Sequence, residues 1–344
     1  MDLNPIMDLS RLSLQDLPSR AAHICLQAER FVSRELGVQL QGGRLLLSLS
    51  AGLDSTALAV FCKALEPRWN SRLYAAHLDH CLRPESGQEA NEVRKLCSSL
   101  DIPCKLGRSQ AAAYARARGL GLEEAGRVLR YRFLQAWSRK LQADWILTAH
   151  HLNDLAEDIL LRQLRGAGWP ALAGMSALEA EQSLLRPFLL LPKAKLQELV
   201  GSLGLSWQED PSNQDQGYTR NRIRQNILPL LLKENPNYLQ TCAQLWRQGR
   251  LDQDFWTQEL QRLRFLELKT SQGVLLPDAE LCRLHPALRL RWYRDALQRL
   301  GCRQTLARNL WDLDLAWQEK SRAKTLQFPG NRQARTSRQG IEFF

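Results

Sequence analysis

Apolar runs alternate with helical repeats over the first part of the chain. Three short apolar runs predict β-strands at residues 45–50, 73–78 and 145–148. Apolar residues at helical spacing predict helices at residues 56–65, 88–100, 110–118, 123–141, 155–165 and 193–203. Strands that alternate with helices of this length predict an α/β fold with a parallel sheet, and in such folds a ligand lies beyond the carboxyl ends of the strands.

The pattern changes after Asn235-Pro236, where long helical repeats replace the alternation. Residues 238–266 and 286–300 have helical patterns, and residues 326–344, rich in Gly, Arg, Gln and Ser, predict a small strand pair. We therefore predict three segments: a helical N-terminal extension at residues 1–40, an α/β domain at residues 41–235, and a smaller, mainly helical C-terminal domain at residues 236–344.

Composition narrows the classes of partner. The 344-residue chain has a formal net charge of +11, which favours a polyanionic partner such as RNA or DNA. Its eight cysteines are scattered without a Cys-x-x-Cys pair, which argues against a zinc ribbon and fits reduced thiols in a cytosol. The sequence shows neither a signal-peptide pattern nor an apolar run long enough to span a bilayer. We expect a soluble, cytoplasmic protein without a membrane partner.

A small-residue turn follows the first predicted strand and precedes a helix. A strand, a loop and a helix N-terminus together present backbone N–H groups and a positive dipole end to a phosphate. The Gly-Lys-Ser/Thr ending of a Walker P-loop is absent, and an ordinary serine N-cap explains the turn equally well. The candidate phosphate-binding residues are Ser50, Ala51, Gly52, Leu53, Asp54 and Ser55.

Polar residues also follow the other two predicted strands. Asp79 and His80 could receive an adenine or ribose edge, although solvated loop residues would look the same. After the third strand, His150 and His151 precede Asp154 and Glu157, which share a helix face at i, i+3. Two such carboxylates can hold Mg²⁺. They can equally be the acidic first turn of a helix, which complements the helix dipole without a metal.

Arginines recur at helical spacing in two further segments. Arg127 and Arg130 share a face with Glu123, which could bind an anion or form a solvated ion-pair face. Arg220 and Arg224 lie four residues apart before Pro229. Such a pair can bind a phosphate or a nucleic-acid backbone from two sides. It can equally be the basic face of a linker helix.

The order of these motifs resembles the tRNA(Ile)-lysidine synthetase family of PP-loop ATP pyrophosphatases. The matching segments, in chain order over residues 44–236, are SAGLDS, HLDHCLR, EEAGRVLRYRFL, TAHHLNDLAED and DPSN followed by TRNRIRQNILP. The resemblance implies a PP-loop, adenine nucleotide alpha hydrolase-like catalytic domain. It also implies a ligase that uses ATP and free lysine to modify the wobble cytidine of the CAU-anticodon isoleucine tRNA. An adenylated cytidine would be the intermediate, with AMP and pyrophosphate released.

The resemblance also assigns roles by position. It gives ATP to the residues from Ser50 to Ser55 together with Asp79 and His80, and Mg²⁺ to Asp54, Asp154 and Glu157. The catalytic group it implies is Asp54, His150, Asp154, Glu157, Arg127 and Arg220. The partners it implies are tRNA and free L-lysine, and a homodimer stays open.

Two departures from the family pattern leave alternatives open. Ala51 stands where the family loop has glycine, and Asn153 where it has aspartate. A PP-loop tRNA thiolase, which often needs paired cysteines, or a catalytically weakened tRNA-binding homologue would also fit parts of the pattern. Residues 283–308 hold seven arginines and one acidic residue, so we hypothesise that Arg289, Arg291 and Arg294 contact the tRNA backbone.

Overall fold

The computed structural model describes residues 8–81, 86–208, 216–302, 307–319 and 323–344. The chain divides into two compact units, Met1–Gly249 and Arg250–Phe344. The division falls inside one helix, α10 (Tyr238–Arg264), whereas the sequence placed a boundary at residues 235–236. The first turns of α10 carry Cys242, Ala243 and Trp246 into the core of the first unit. The three-segment domain scheme stays a prediction.

The first unit is built on a six-stranded sheet, which confirms the predicted α/β fold. Its strand order is β3-β2-β1-β4-β6-β5, and every neighbouring pair is parallel except β5 with β6. The strands are β1 (Arg44–Ser48), β2 (Arg72–Asp79), β3 (Cys104–Arg108), β4 (Trp145–Leu147), β5 (Leu178–Glu179) and β6 (Leu184–Leu185). The three predicted strands are β1, β2 and β4, and the sequence pattern missed the other three.

Helices cover this sheet. They are α1 (Ser19–Arg30), α2 (Leu53–Trp69), α3 (Ser86–Ser99), α4 (Ala111–Arg118), α5 (Leu122–Leu141), α6 (Leu152–Leu164), α7 (Lys193–Gly201), α8 (Thr219–Arg222) and α9 (Leu228–Glu234). A single π-turn, Ile223–Ile227, joins α8 to α9. Both α2 and α6 begin three residues earlier than predicted, so Asp54 and Asp154 both lie in the first turn of a helix.

The centre of the first unit is rigidly packed around β1 and α2. Leu45, Leu46 and Leu47 of β1 are fully buried. Helix α2 is buried along most of its length because it packs against β1, β2, α1 and α7. A short turn between two buried elements has little freedom to move, so β1 and α2 fix the backbone of residues 49–52.

The second unit combines helices with an antiparallel sheet. Its five strands, in the order β7-β8-β11-β10-β9, are β7 (Leu268–Lys269), β8 (Val274–Pro277), β9 (Thr325–Phe328), β10 (Arg332–Ser337) and β11 (Gly340–Phe343). Its helices after α10 are α11 (Asp278–Leu281), α12 (Pro286–Arg299) and α13 (Ala307–Gln318). The predicted strand pair in the tail is therefore part of a larger sheet that also recruits β8. Within the described residues, no helix combines the length and the apolar character required to cross a membrane.

Candidate active site

The turn between β1 and α2 is closed by serine side chains. The Ser55 hydroxyl accepts the N–H of Ser50 at 3.0 Å and lies 2.6 Å from the Ser50 carbonyl, to which it donates. Gly52 is the N-cap residue of α2, with φ −81° and ψ 163°. The N–H groups of the first turn of a helix have no intrahelical acceptor, and the helix dipole is positive at this end. The turn therefore offers an anion a fixed set of backbone donors.

Ala51 and Leu53 contribute to this turn through their backbones. Both side chains are buried in the core, and the Ala51 carbonyl accepts the N–H of Gln208 at 2.9 Å. Ala51 is not among the described non-glycine residues with positive φ, so alanine meets no backbone strain at this family glycine position. The other departure, Asn153, is also accommodated, because its side-chain oxygen accepts the N–H of Lys193 at 3.0 Å.

His151 connects this turn to α6. Its Nε2 lies 3.4 Å from Oδ1 of Asp54, while its Nδ1 accepts the N–H of Asp154 at 3.4 Å. The Asp154 carboxylate in turn accepts the N–H of His151 at 3.1 Å, which completes a capping box at the start of α6. Burial lowers the pKa of His151, but the charges of Asp154 and Asp54 outweigh it, so the pKa is raised. The sequence assignment omitted His151, because histidine is not a usual N-cap residue; the available signal was Asp154 at the N3 position of a capping box.

Asp154 and Glu157 bind two arginines from the α8 segment. Glu157, which is 1% exposed, accepts Arg220 Nε at 2.9 Å and Arg224 Nε at 2.6 Å. Asp154 Oδ1 lies 3.2 Å from Arg220 Nη2 and 3.3 Å from Arg224 Nη2. Burial alone would raise the pKa of Asp154, but His151, His150 and Arg220 outweigh it and hold the pKa well below its usual value. The two carboxylates and two guanidinium groups therefore form a charge-balanced cluster.

His150 lies beside the same cluster and is half-buried. Its Nδ1 is 2.9 Å from the Thr148 hydroxyl. Burial, reinforced by the positive charges of Arg186, Arg130 and Arg220 against the opposing charge of Asp154, lowers the pKa of His150 well below its usual value. His150 is therefore a neutral imidazole at pH 7, whereas its neighbour His151 has the raised pKa.

Arg130 of α5 is a site residue that the sequence assignment left out. Burial, with a smaller contribution from Arg127 and Arg220, lowers the pKa of Arg130. Among the described residues, no carboxylate lies within ion-pair distance of its guanidinium, which contacts the Tyr131 ring at 5.8 Å. A cation so placed favours an incoming anion. Arg127, which was assigned instead, is exposed and stacks on Tyr131 at 5.2 Å.

Asp79 and His80 lie at the end of β2 and contact β3 and α5 rather than the turn before α2. Buried Asp79 accepts the N–H of Cys81 at 2.8 Å and Arg108 Nε at 3.3 Å. His80 lies 3.3 Å from the Ser109 hydroxyl and packs over Gly126 of α5. Burial lowers the pKa of His80, and Arg130 adds to the effect. The described contacts of this pair thus run toward β3 and α5, and its predicted ATP role stays a prediction.

The three predicted magnesium ligands differ in what they can offer. Asp54 Oδ1 is buried and makes no hydrogen bond of good geometry within the described residues, although His151 Nε2 lies 3.4 Å away. No described arginine pairs with Asp54, so of the three residues it fits a cation best. The oxygens of Asp154 and Glu157 are engaged by arginines and by the capping box, and this arrangement does not fit a metal. Within the described residues, no three His, Cys, Asp or Glu side chains form a metal site. Mg²⁺ at Asp54 would therefore need phosphate oxygens and water as its other ligands.

The arginines of α12 correct the hypothesis for the second unit. Arg289 is buried and donates to both oxygens of Asp314 at 2.8 Å, so it belongs to the core of this unit and not to an RNA-facing surface. The guanidinium of Arg291 lies 4.0 Å from the Trp256 ring and is partly buried. Helical spacing alone could not separate these residues from exposed ones, because Asp314 and Trp256 come from other helices. The family motif DPSN, within residues 209–215, lies outside the described residues.

Comparisons with known proteins agree with this geometry. A family model for the PP-loop domain matches residues 23–231. The chain is 38% identical over 326 residues to a curated tRNA(Ile)-lysidine synthase from Nitratidesulfovibrio vulgaris, an alignment that covers 90% of this chain and 94% of the relative. It is 35% identical over 218 residues to the tRNA(Ile)-lysidine synthase of Geobacillus kaustophilus, covering 62% of this chain and 47% of that protein.

One solved structure shows the fold again. A U34-tRNA thiolase from Methanococcus maripaludis superposes with a TM-score of 0.57 at 17% identity, over 67% of this chain and 79% of the thiolase. At this identity the likeness shows the shared fold alone.

Proposed function

Since this chain belongs to the tRNA(Ile)-lysidine synthase family of PP-loop proteins, we propose that it ligates lysine to C2 of the wobble cytidine in the CAU-anticodon isoleucine tRNA, using ATP. The observation that carries the proposal is the contact chain from Asp54 through His151 to Asp154. These contacts join the anion-binding turn to the charged cluster of α6 in one site, as a reaction between a nucleotide and a second charged substrate requires.

The reaction has two displacements. The C2 oxygen of cytidine attacks the α-phosphorus of ATP, so a new P–O bond forms and the bond to pyrophosphate breaks. The neutral ε-amine of lysine then attacks C2, and AMP departs with the electron pair of the C–O bond. The lysine nitrogen loses its proton, and lysidine, AMP and pyrophosphate are the products.

The turn before α2 suits the first displacement. Its backbone donors face the negative charge that leaves with pyrophosphate, and fixed donors stabilise developing charge without reorganisation. Bound Mg²⁺ would neutralise phosphate charge, with Asp54 as its protein ligand. Arg130 has no carboxylate partner among the described residues and lies close to His150 and Arg220, so we propose that it contacts the reacting phosphate. Exposed Arg127 suits an RNA contact at the rim.

The charged cluster suits the second displacement. Asp154 stays ionised throughout the working pH range because its pKa is lowered, so it helps to keep Arg220 and Arg224 in place. Glu157 holds Arg220 and Arg224 in place, and Arg220 can then contact the phosphate of the adenylated base. Neutral His150 can exchange hydrogen bonds with the modified base without adding a charge.

One assay tests the proposed function. The full chain is incubated with unmodified CAU-anticodon tRNA, ATP, Mg²⁺ and labelled lysine, and label in the RNA is measured together with AMP and pyrophosphate. We expect one AMP per lysine incorporated, and none when the anticodon is changed. Sulfur incorporation would favour the thiolase alternative, and tRNA binding without turnover would favour the weakened homologue. Sedimentation of the free chain tests the homodimer.

The three proposed substrates point to the cytoplasm as the place of the reaction. Unmodified tRNA, ATP and free lysine occur together in the cytoplasm, so we place the reaction there.

A further inference from the structure

Two adjoining clefts on the first unit are not used in the reaction described above, although Asp79, a predicted ATP residue, lines the larger one. The larger, about 670 Å³, lies between the carboxyl ends of β2 and β3 and one side of α3. The smaller, about 310 Å³, continues along α3. Both are lined by Gln88, Asn91 and Arg94, so they form one groove, which we call the α3 groove.

The α3 groove begins beside the proposed ATP site. Its near end is lined by Gln208, whose N–H donates to the Ala51 carbonyl in the anion-binding turn at 2.9 Å. From Gln88 to Lys95 the groove follows eight residues of α3, whose seven steps rise about 10 Å along the helix. At a rise of about 3.4 Å per nucleotide along one strand, this length spans roughly three nucleotides. The groove therefore extends beside the reaction centre over the length of a short strand.

Six of the twelve residues that line the α3 groove are basic or amide, and two, Asp79 and Glu92, are acidic. Arg108 is 74% exposed at the far end, and its pairing with Asp79 uses Nε. Arg94 donates to the neutral side chain of Asn91 at 2.7 Å, a contact that leaves its charge uncompensated. Lys95 pairs with Glu92 at the surface, and an exposed pair of this kind contributes about 0–1 kcal/mol, so it exchanges readily for another anion. An open, cationic, amide-lined channel suits a phosphate backbone.

We propose that the α3 groove binds the phosphodiester backbone of the RNA strand next to the nucleotide that enters the active site. The proposal rests on the proposed function and adds the path of the RNA strand to it. Arg94, Lys95 and Arg108 all line the groove, and their charges favour a phosphate backbone over a neutral base.

A double variant with a matched control tests the α3 groove. Arg94→Ala with Lys95→Ala removes two positive charges from the groove. Arg68→Ala with Lys140→Ala removes the same charge at the other end of the sheet, since α2 and α5 both end beside the start of β1. Binding of a fluorescent, unmodified CAU-anticodon tRNA is measured from 50 to 200 mM salt, and binding of α,β-methylene-ATP is measured without RNA.

We expect the groove variant to bind tRNA roughly tenfold more weakly at 0.1 M salt, with a salt slope smaller by about 1 to 2. The control variant should bind tRNA, and both variants should bind the ATP analogue, as the wild type does. Equal tRNA affinity and slope in the groove variant and the wild type would overturn the proposal, as would a loss confined to the ATP analogue. Wild-type chain that makes no lysidine would instead refute the proposed function.

Discussion

Replacing Glu157 by glutamine tests whether this buried carboxylate holds the two arginines of the site. Glu157→Gln keeps the shape of the side chain but removes the charge that Arg220 and Arg224 contact at 2.6–3.0 Å. The new amide also points N–H donors at guanidinium donors, because Gln has one acceptor oxygen where Glu has two. We expect the arginines to lose their fixed positions.

The expected loss of folding stability follows from the burial of Glu157. Removing one partner from a buried ion pair costs about 3–5 kcal/mol, and Asp154 retains contacts with both arginines. We therefore expect the free energy of unfolding to fall by about 3 kcal/mol, the lower end of that range. Glu35→Gln is the matched control, since Glu35 also takes two hydrogen bonds from an arginine, Arg247, but is 38% exposed. Exposed pairs contribute about 0–1 kcal/mol.

Urea unfolding of the wild type and both variants measures these energies, and AMP release with tRNA and lysine measures activity. Glu157→Gln should lose stability and most of its turnover at temperatures where it stays folded, while Glu35→Gln should keep both. Equal loss of stability in the two variants would refute the reasoning, because burial would then not set the cost.

Three further outcomes are expected. The pKa of His150 is lowered in the folded chain, so His150 contributes folding stability that is present above about pH 6.5 and lost as the pH falls below it. In His150→Gln the free energy of unfolding should therefore fall less steeply below about pH 6.5. Acid titration of this variant beside the exposed control His23→Gln checks it. Arg289→Ala should lower the stability of the second unit by about 3–5 kcal/mol, as thermal melting will show. Arg289→Met with Asp314→Leu and Tyr293→Phe, which also removes the buried hydroxyl that donates to Asp314, should recover most of this loss. Asp54→Asn should raise the Mg²⁺ concentration needed for half-maximal AMP release, and an unchanged requirement would remove Asp54 from the metal site.

Local pattern was sufficient for the parts of the fold that neighbouring residues determine. The apolar run at Leu45–Leu47 predicted β1, and the small residues after it predicted the turn before α2, because both depend on adjacent positions. Strand β3 was missed because Cys104–Arg108 is a short edge strand with one large apolar residue, Leu106, and a glycine. The short β6 was missed because two residues carry no periodicity.

The sequence alone could not predict contacts between residues that lie far apart along the chain. Arg220 meets Glu157 across 63 residues and Arg289 meets Asp314 across 25, so spacing on their own helices could not show either partner. The family resemblance assigned Asp154, Glu157 and Arg220 to the same site. It did not predict that Arg220 and Arg224 would form ion pairs with both carboxylates.

The double attachment of His151 limits how this protein can diversify. One imidazole both starts α6 and touches the side chain of Asp54 in the turn before α2. A substitution of His151 that changes its contact with Asp54 would also remove the cap of α6, and one selected to stabilise the helix would change the contact with Asp54. Libraries that aim at new substrates should therefore keep position 151 constant and vary the rim, where Arg127 is exposed to solvent.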